Sequence, residues 1–174
     1  MKYTLLFLIS AQAYCYDISN DFLYKLATIE SDNRPTAVGD SSHALGLYQL
    51  HKSAWDDACK RNGVKWEFNR QNAFNVERST IVAKWHLEWL AERLEANGYE
   101  VTPMRLYMCY NLGMRGALKL NLQPTNIPSL KRAKKILNTN EHEIQSRPES
   151  ELDEGCCLST GLHNRRVSGD VISV

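Results

Sequence analysis

Val82, Trp85, Trp89 and Leu90 recur at i, i+3, i+7 and i+8 inside an unbroken stretch from about 75 to 97, which Gly98 closes. That spacing gathers apolar side chains on one stripe of a helix. It excludes a strand, whose faces alternate every second residue. A long helix with one apolar stripe must be covered by other elements. The chain supplies further helical segments to cover it. Along 17–29, Ile18, Phe22, Leu26 and Ile29 share a face with Leu23 beside them, and Ser19 or Asp17 caps the start. Segment 53–62 turns Trp55, Ala58 and Cys59 inward and stops at Gly63. Residues 63–70 read as a connection.

Thr102-Pro103 marks another helix start, a hydroxyl cap followed by proline at the first helical position. This helix carries Leu106, Tyr107, Cys109 and Tyr110 into Asn111-Leu112-Gly113. After Pro124 and Pro128, segment 129–138 gives a last helix with Leu130, Ala133, Ile136 and Leu137 inward. Its Lys131-Arg132 and Lys134-Lys135 read as a solvated face. The expected fold is all-α. Only the turn-forming run 32–42, with Asn33, Pro35, Gly39 and Asp40, leaves room for a small hairpin. Trp85 and Trp89, at helical spacing in a stripe, are expected in the core rather than as sugar platforms.

The ends read differently from the middle. Lys2, the mostly apolar run 4–11 and Ala11-Gln12-Ala13 have the form of a secretory leader, residues 1–13, removed on export. It is too short for a stable membrane span, so stable membrane insertion is not expected after cleavage. The expected location is secreted or periplasmic. A compact domain is expected over 17–140, and a flexible tail over 141–174, where helical periodicity is lost. The formal net charge of +1 gives no argument for nucleic acid binding. The five cysteines have no zinc-site spacing. Cys59 and Cys109 fall on apolar helix faces, as free buried thiols or as a bridged pair. Cys156 and Cys157 lie in the polar tail.

Glu30 carries the chemistry. It continues the stripe of Phe22, Leu26 and Ile29, so it should point towards the core rather than into water. A carboxylate is disfavoured at the negative end of a helix, and burial against apolar groups raises its pKa. A carboxylic acid that keeps its proton near neutral pH can protonate a departing glycosidic oxygen. Next come Gly46, which lets the backbone turn or approach a ligand, and Gln49, which both donates and accepts. Tyr110 offers a ring with a polar tip, and Asn111 an amide for an acetamido or hydroxyl group.

Taken in order, Glu30-Ser31, Ala37-Val38-Gly39-Asp40, Ala44-Leu45-Gly46-Leu47-Tyr48-Gln49 and Tyr110-Asn111-Leu112-Gly113 resemble the lytic transglycosylase catalytic domain of the lysozyme-like superfamily. The resemblance covers roughly 17–137. Tyr48 stands where the family has Met, and Cys109 where it has Ala. The resemblance implies a helical domain with a groove for a peptidoglycan strand. Glu30 would be the acid and base, positioned by Ser31. Gly46, Leu47, Tyr48 and Gln49 would line the groove beside the scissile bond. Tyr110 and Asn111 would hold the N-acetylated sugar. No metal or organic cofactor is expected, and no protein partner is indicated.

Most glycosidases pair two carboxylates. Near Glu30 the sequence offers Asp32, two residues on and expected to point elsewhere, and the loop residue Asp40, which could activate a water but reads first as a turn residue in Gly39-Asp40-Ser41. With one placed carboxyl, the family's mechanism is the simpler expectation: cleavage of the MurNAc-β-1,4-GlcNAc bond with a 1,6-anhydroMurNAc end. A lysozyme-type hydrolase and a non-catalytic wall-binding module remain the alternatives.

Overall fold

A computed structural model of the chain describes residues 16–139. The readings made for the leader and for the tail with Cys156 and Cys157 fall outside them. The described residues are mostly helical, with six helices and a small three-stranded sheet. In chain order they are α1 (Asn20–Ser31), β1 (Val38–Gly39), β2 (Ala44–Leu45), β3 (Leu50–His51), α2 (Lys52–Arg61), α3 (Arg70–Ala73), α4 (Val76–Ala96), α5 (Pro103–Lys119) and α6 (Pro128–Leu137).

The helix starts follow capping chemistry. The Ser19 hydroxyl accepts from the Phe22 amide at 3.1 Å, the Asn75 side chain from Arg78, and the Thr102 hydroxyl from Arg105. At the other end of α1, Asp32 and Asn33 both take left-handed backbone, with φ of 54° and 58°. Their amides return to the Thr28 and Ala27 carbonyls at 3.2 Å. The chain therefore leaves α1 two residues after Glu30, through a Schellman-type cap built without glycine.

Helix α4 is the spine: α2, α3 and α5 pack on it, while α6 closes against α1 and α5. Its buried line runs through Val82, Ala83, Leu87, Leu90, Ala91 and Leu94. Trp85 and Trp89 sit on the flanks of that line, half-buried. Trp85 stacks on Trp66 with centroids 5.9 Å apart. The core is completed by Trp55, Leu26, Leu106, Tyr107, Met108 and Leu130, all nearly or fully sealed from solvent. Trp55 keeps its indole N–H satisfied on the Trp66 carbonyl at 2.7 Å.

Three local features depart from the sequence reading. The hairpin is a three-stranded antiparallel sheet of order β1-β2-β3, pairing Val38 with Leu45 and Ala44 with His51. Its strands are two residues each, too short for an alternation to register. The connection 63–70 runs into a one-turn helix, α3, capped by Asn69. Helix α5 does not end at Gly113: the chain kinks there, at φ 69° and ψ 158°, and continues to Lys119. Cys59 and Cys109 are both free and buried, so the bridge that the sequence left open is not formed.

Candidate active site

Glu30 lies in the last turn of α1, partly buried, with Oε1 sealed from solvent and without a hydrogen-bond partner among the described residues. Burial dominates its protonation and pushes its pKa up to about 7. The neighbouring Tyr107 hydroxyl and the Arg132 charge oppose that rise. The same environment pushes the Tyr107 phenol up, through burial first and then the nearby Glu30. At neutral pH the site therefore holds a carboxyl poised between acid and base forms, beside a neutral phenol.

Arg132, on α6, fixes the helix end that carries Glu30. Its Nη2 donates to the Thr28 carbonyl at 2.8 Å and also to the Asp32 carboxylate. Asp32, one of the two candidate partner carboxylates, is thereby committed to α6. The other, Asp40, is exposed, and its carboxylate lies 3.7 Å from His51 Nε2. Asp40, Ser41 and Ser42 form a tight turn with φ of 44°, 51° and 76°.

Ser31 does its work on the neighbouring loop. Its buried hydroxyl donates to the Leu47 carbonyl at 2.7 Å and accepts from the Arg34 amide at 3.1 Å. This ties the end of α1 to the loop between β2 and β3. Gly46 opens that loop at φ +78°. A Cβ there would come within 2.1 Å of the Ala73 carbonyl oxygen, so only glycine lets the loop lie against α3. Leu47 and Tyr48 send their side chains into the core. The Tyr48 hydroxyl pairs with Thr80 Oγ1 on α4 at 3.1 Å.

Gln49 closes the loop at φ 48°. Its amide nitrogen donates to the Gly46 carbonyl at 2.8 Å and to the Ala37 carbonyl at 3.2 Å. Its Oε1 lies over Gly39, where a Cβ would come within 2.2 Å of it. The Tyr110 hydroxyl donates to the Tyr48 carbonyl at 2.6 Å, and burial raises its pKa well above the ordinary value. Asn111, one residue on, is exposed and accepts from the Ser129 hydroxyl at 3.2 Å. The structure thus gathers Glu30, Ser31, the loop 46–49 and Tyr110 into one network. Leu47 and Tyr48 belong to it through their backbone carbonyls, not through exposed side chains.

Three contributors escape the sequence reading. Tyr107 lies one turn before Tyr110 on α5, a spacing that gives both the same face. Arg132, within the run 131–135 that reads as a solvated basic face, binds the end of α1 instead. His86 lines a recess beside the loop, with Gln49, Trp89 and Tyr110. Among the described residues, no group of three or more His, Cys, Asp or Glu could hold a metal ion. None of their helices is long and apolar enough to cross a membrane.

A protein-family model described as the transglycosylase SLT domain matches residues 7–126. No match to a curated protein was found.

Proposed function

The chain belongs to the transglycosylase SLT family of peptidoglycan-cleaving enzymes, and on that footing we propose an exported lytic transglycosylase in which Glu30 acts alone. The observation that carries this reading is the Glu30 carboxyl itself: one oxygen sealed and unpartnered, the pKa raised to about 7. Such a group donates a proton readily and takes one back readily at the same pH.

The reaction then needs no second carboxylate. Glu30 gives its proton to the oxygen joining MurNAc to GlcNAc as the C1–O bond breaks. The acetamido carbonyl of the same MurNAc supports the positive charge developing at C1. The Glu30 carboxylate next removes the proton from the MurNAc C6 hydroxyl, whose oxygen closes on C1. GlcNAc departs with the donated proton, Glu30 regains one, and no water is consumed. The engagement of Asp32 by Arg132 supports a single-carboxyl route over water activation by that residue.

Ser31, Gly46 and Gln49 serve in this reading as the frame of the groove wall, with Tyr110 fastened to the same loop and Asn111 beside it towards the N-acetylated sugar. Export through residues 1–13 is part of the proposal. Protein recovered from the envelope should begin at Tyr14. The enzyme assay is release of soluble fragments from purified peptidoglycan. The native chain should release them and a folded Glu30→Gln variant should not. Full release by that variant would overturn the reading.

A further inference from the structure

The recess between α2, α4 and α5 has a volume of about 330 Å³. Its motif residues have little left to offer a ligand there. The Gln49 amide nitrogen donates to two backbone carbonyls, and the Tyr110 hydroxyl donates to a third. His86 on α4 makes no such commitment. Its Nδ1 is sealed from solvent without a partner among the described residues.

The imidazole is held in place by rings. It stacks on Trp89 at 5.9 Å with planes 23° apart and meets the Tyr110 ring edge-on at 5.7 Å. Trp89 is itself braced by the Arg61 guanidinium, 4.6 Å from the ring centroid. Burial, reinforced by the charge of Arg61, lowers the His86 pKa to about 4, with Asp57 opposing. The ring is therefore neutral at the pH where Glu30 works. A sealed N–H without an acceptor is the rarer arrangement in proteins, which favours the tautomer with its proton on Nε2. That gives His86 one donor to offer the recess, beside the apolar side chains of Leu90 and Met114, with Ser53 and His51 as exposed polar groups elsewhere on its wall.

We propose that His86 is a specificity-determining residue, donating from Nε2 to the acetamido carbonyl of an N-acetylated sugar bound in this recess. An acetamido group suits the place, since its carbonyl needs a donor and its methyl needs apolar neighbours. A single fixed donor among rings also needs no reordering on binding. This inference rests on the glycan-cleaving reading above.

The test is binding of soluble, uncross-linked peptidoglycan strands to the inactive Glu30→Gln protein by titration calorimetry, with and without His86→Phe. The phenyl ring keeps the stacking and removes the nitrogen. Affinity should weaken about tenfold, the size of one lost hydrogen bond that leaves its partner unpaired. De-N-acetylated strands should bind both proteins alike. Equal affinity of the two proteins for the acetylated strand would overturn the role of His86 while leaving the glycan reading standing. Failure of the Glu30→Gln protein to bind any strand would overturn both. Nitrogen NMR of the unsubstituted ring gives a measure that survives a misfolded variant. A neutral ring with the proton on Nε2, shifting on strand addition, supports the inference. A silent resonance contradicts it.

Discussion

The Tyr110 hydroxyl donates to the Tyr48 carbonyl at 2.6 Å, fastening α5 to the loop between β2 and β3. Ser31 does the same from α1 through the Leu47 carbonyl, and Gln49 does it within the loop. The polar side chains of the motifs mostly hold backbone. Tyr48 and Asn111 pair instead with side chains, Thr80 and Ser129, and Glu30 keeps an unpartnered oxygen. Preorganisation of this kind would keep the proposed reacting group in place without movement during the reaction.

Tyr110→Phe should therefore lose stability while retaining the fold. The ring and its packing remain, but the Tyr48 carbonyl is left unpaired in a partly buried place. The expected loss is about 1–2 kcal/mol, read as a lower urea midpoint at unchanged slope.

Gly46→Ala should be more damaging than the same change at Gly63. Both glycines have positive φ, but only Gly46 faces a backbone oxygen, at 2.1 Å from the position of the new Cβ. Gly63→Ala meets nothing within 4 Å and should lose about 1 kcal/mol from strain alone. Gly46→Ala adds displacement of α3, and should lose about 3 kcal/mol or fail to accumulate as folded protein. Thermal melts of the two variants side by side decide it.

The raised pKa of Glu30 has a consequence for stability. In the unfolded chain the carboxyl ionises through 4.5, whereas in the folded chain it keeps its proton to about 7. Between those values the folded state binds the extra proton, so stability falls as pH rises. Below 4.5 the contribution is whole, and above 7 it is lost. Glu30→Gln removes the charged form. It should stabilise the protein at pH 8 by up to about 3 kcal/mol, with the gain vanishing as the pH falls towards 4.5. A gain equal at all pH values would contradict the burial of Glu30.

In the proposed mechanism the same carboxyl sets the basic limb of the pH–rate profile. The acid must hold its proton to begin the reaction, so activity should fall as pH rises through about 7. The Arg132 charge lowers that pKa. Arg132→Met should move the limb to higher pH while reducing the rate, because the clamp on Thr28 and Asp32 is lost as well. An unmoved limb would show that Arg132 acts only as a strut.

Where apolar spacing governs, the sequence was readable. The stripe of α1, the existence and length of α4, and the Thr102-Pro103 start of α5 follow from local rules that need no knowledge of neighbours; of the α4 stripe itself only Val82 and Leu90 fall on the buried line. The motif positions were equally legible as positions, but their wiring was not. Ser31 bonds to a carbonyl 16 residues away and Tyr110 to one 62 residues away, and no local pattern encodes such pairs. Arg132 looked like one of four solvated cations because its partner, the end of α1, lies 100 residues earlier for Asp32 and 104 for Thr28. His86 carries no local signal between Trp85 and Trp89, because apolar spacing favours a stripe through the tryptophans whereas the buried line passes through Ala83, Leu87 and Leu94.

The central claim is that Glu30 works alone and closes a ring instead of admitting water. Mass spectrometry of the fragments released from purified peptidoglycan tests it most directly. The account predicts saccharides ending in 1,6-anhydroMurNAc, each lighter by one water than the corresponding reducing end, and none from Glu30→Gln. Fragments carrying only reducing MurNAc ends would contradict it and make the chain a hydrolase.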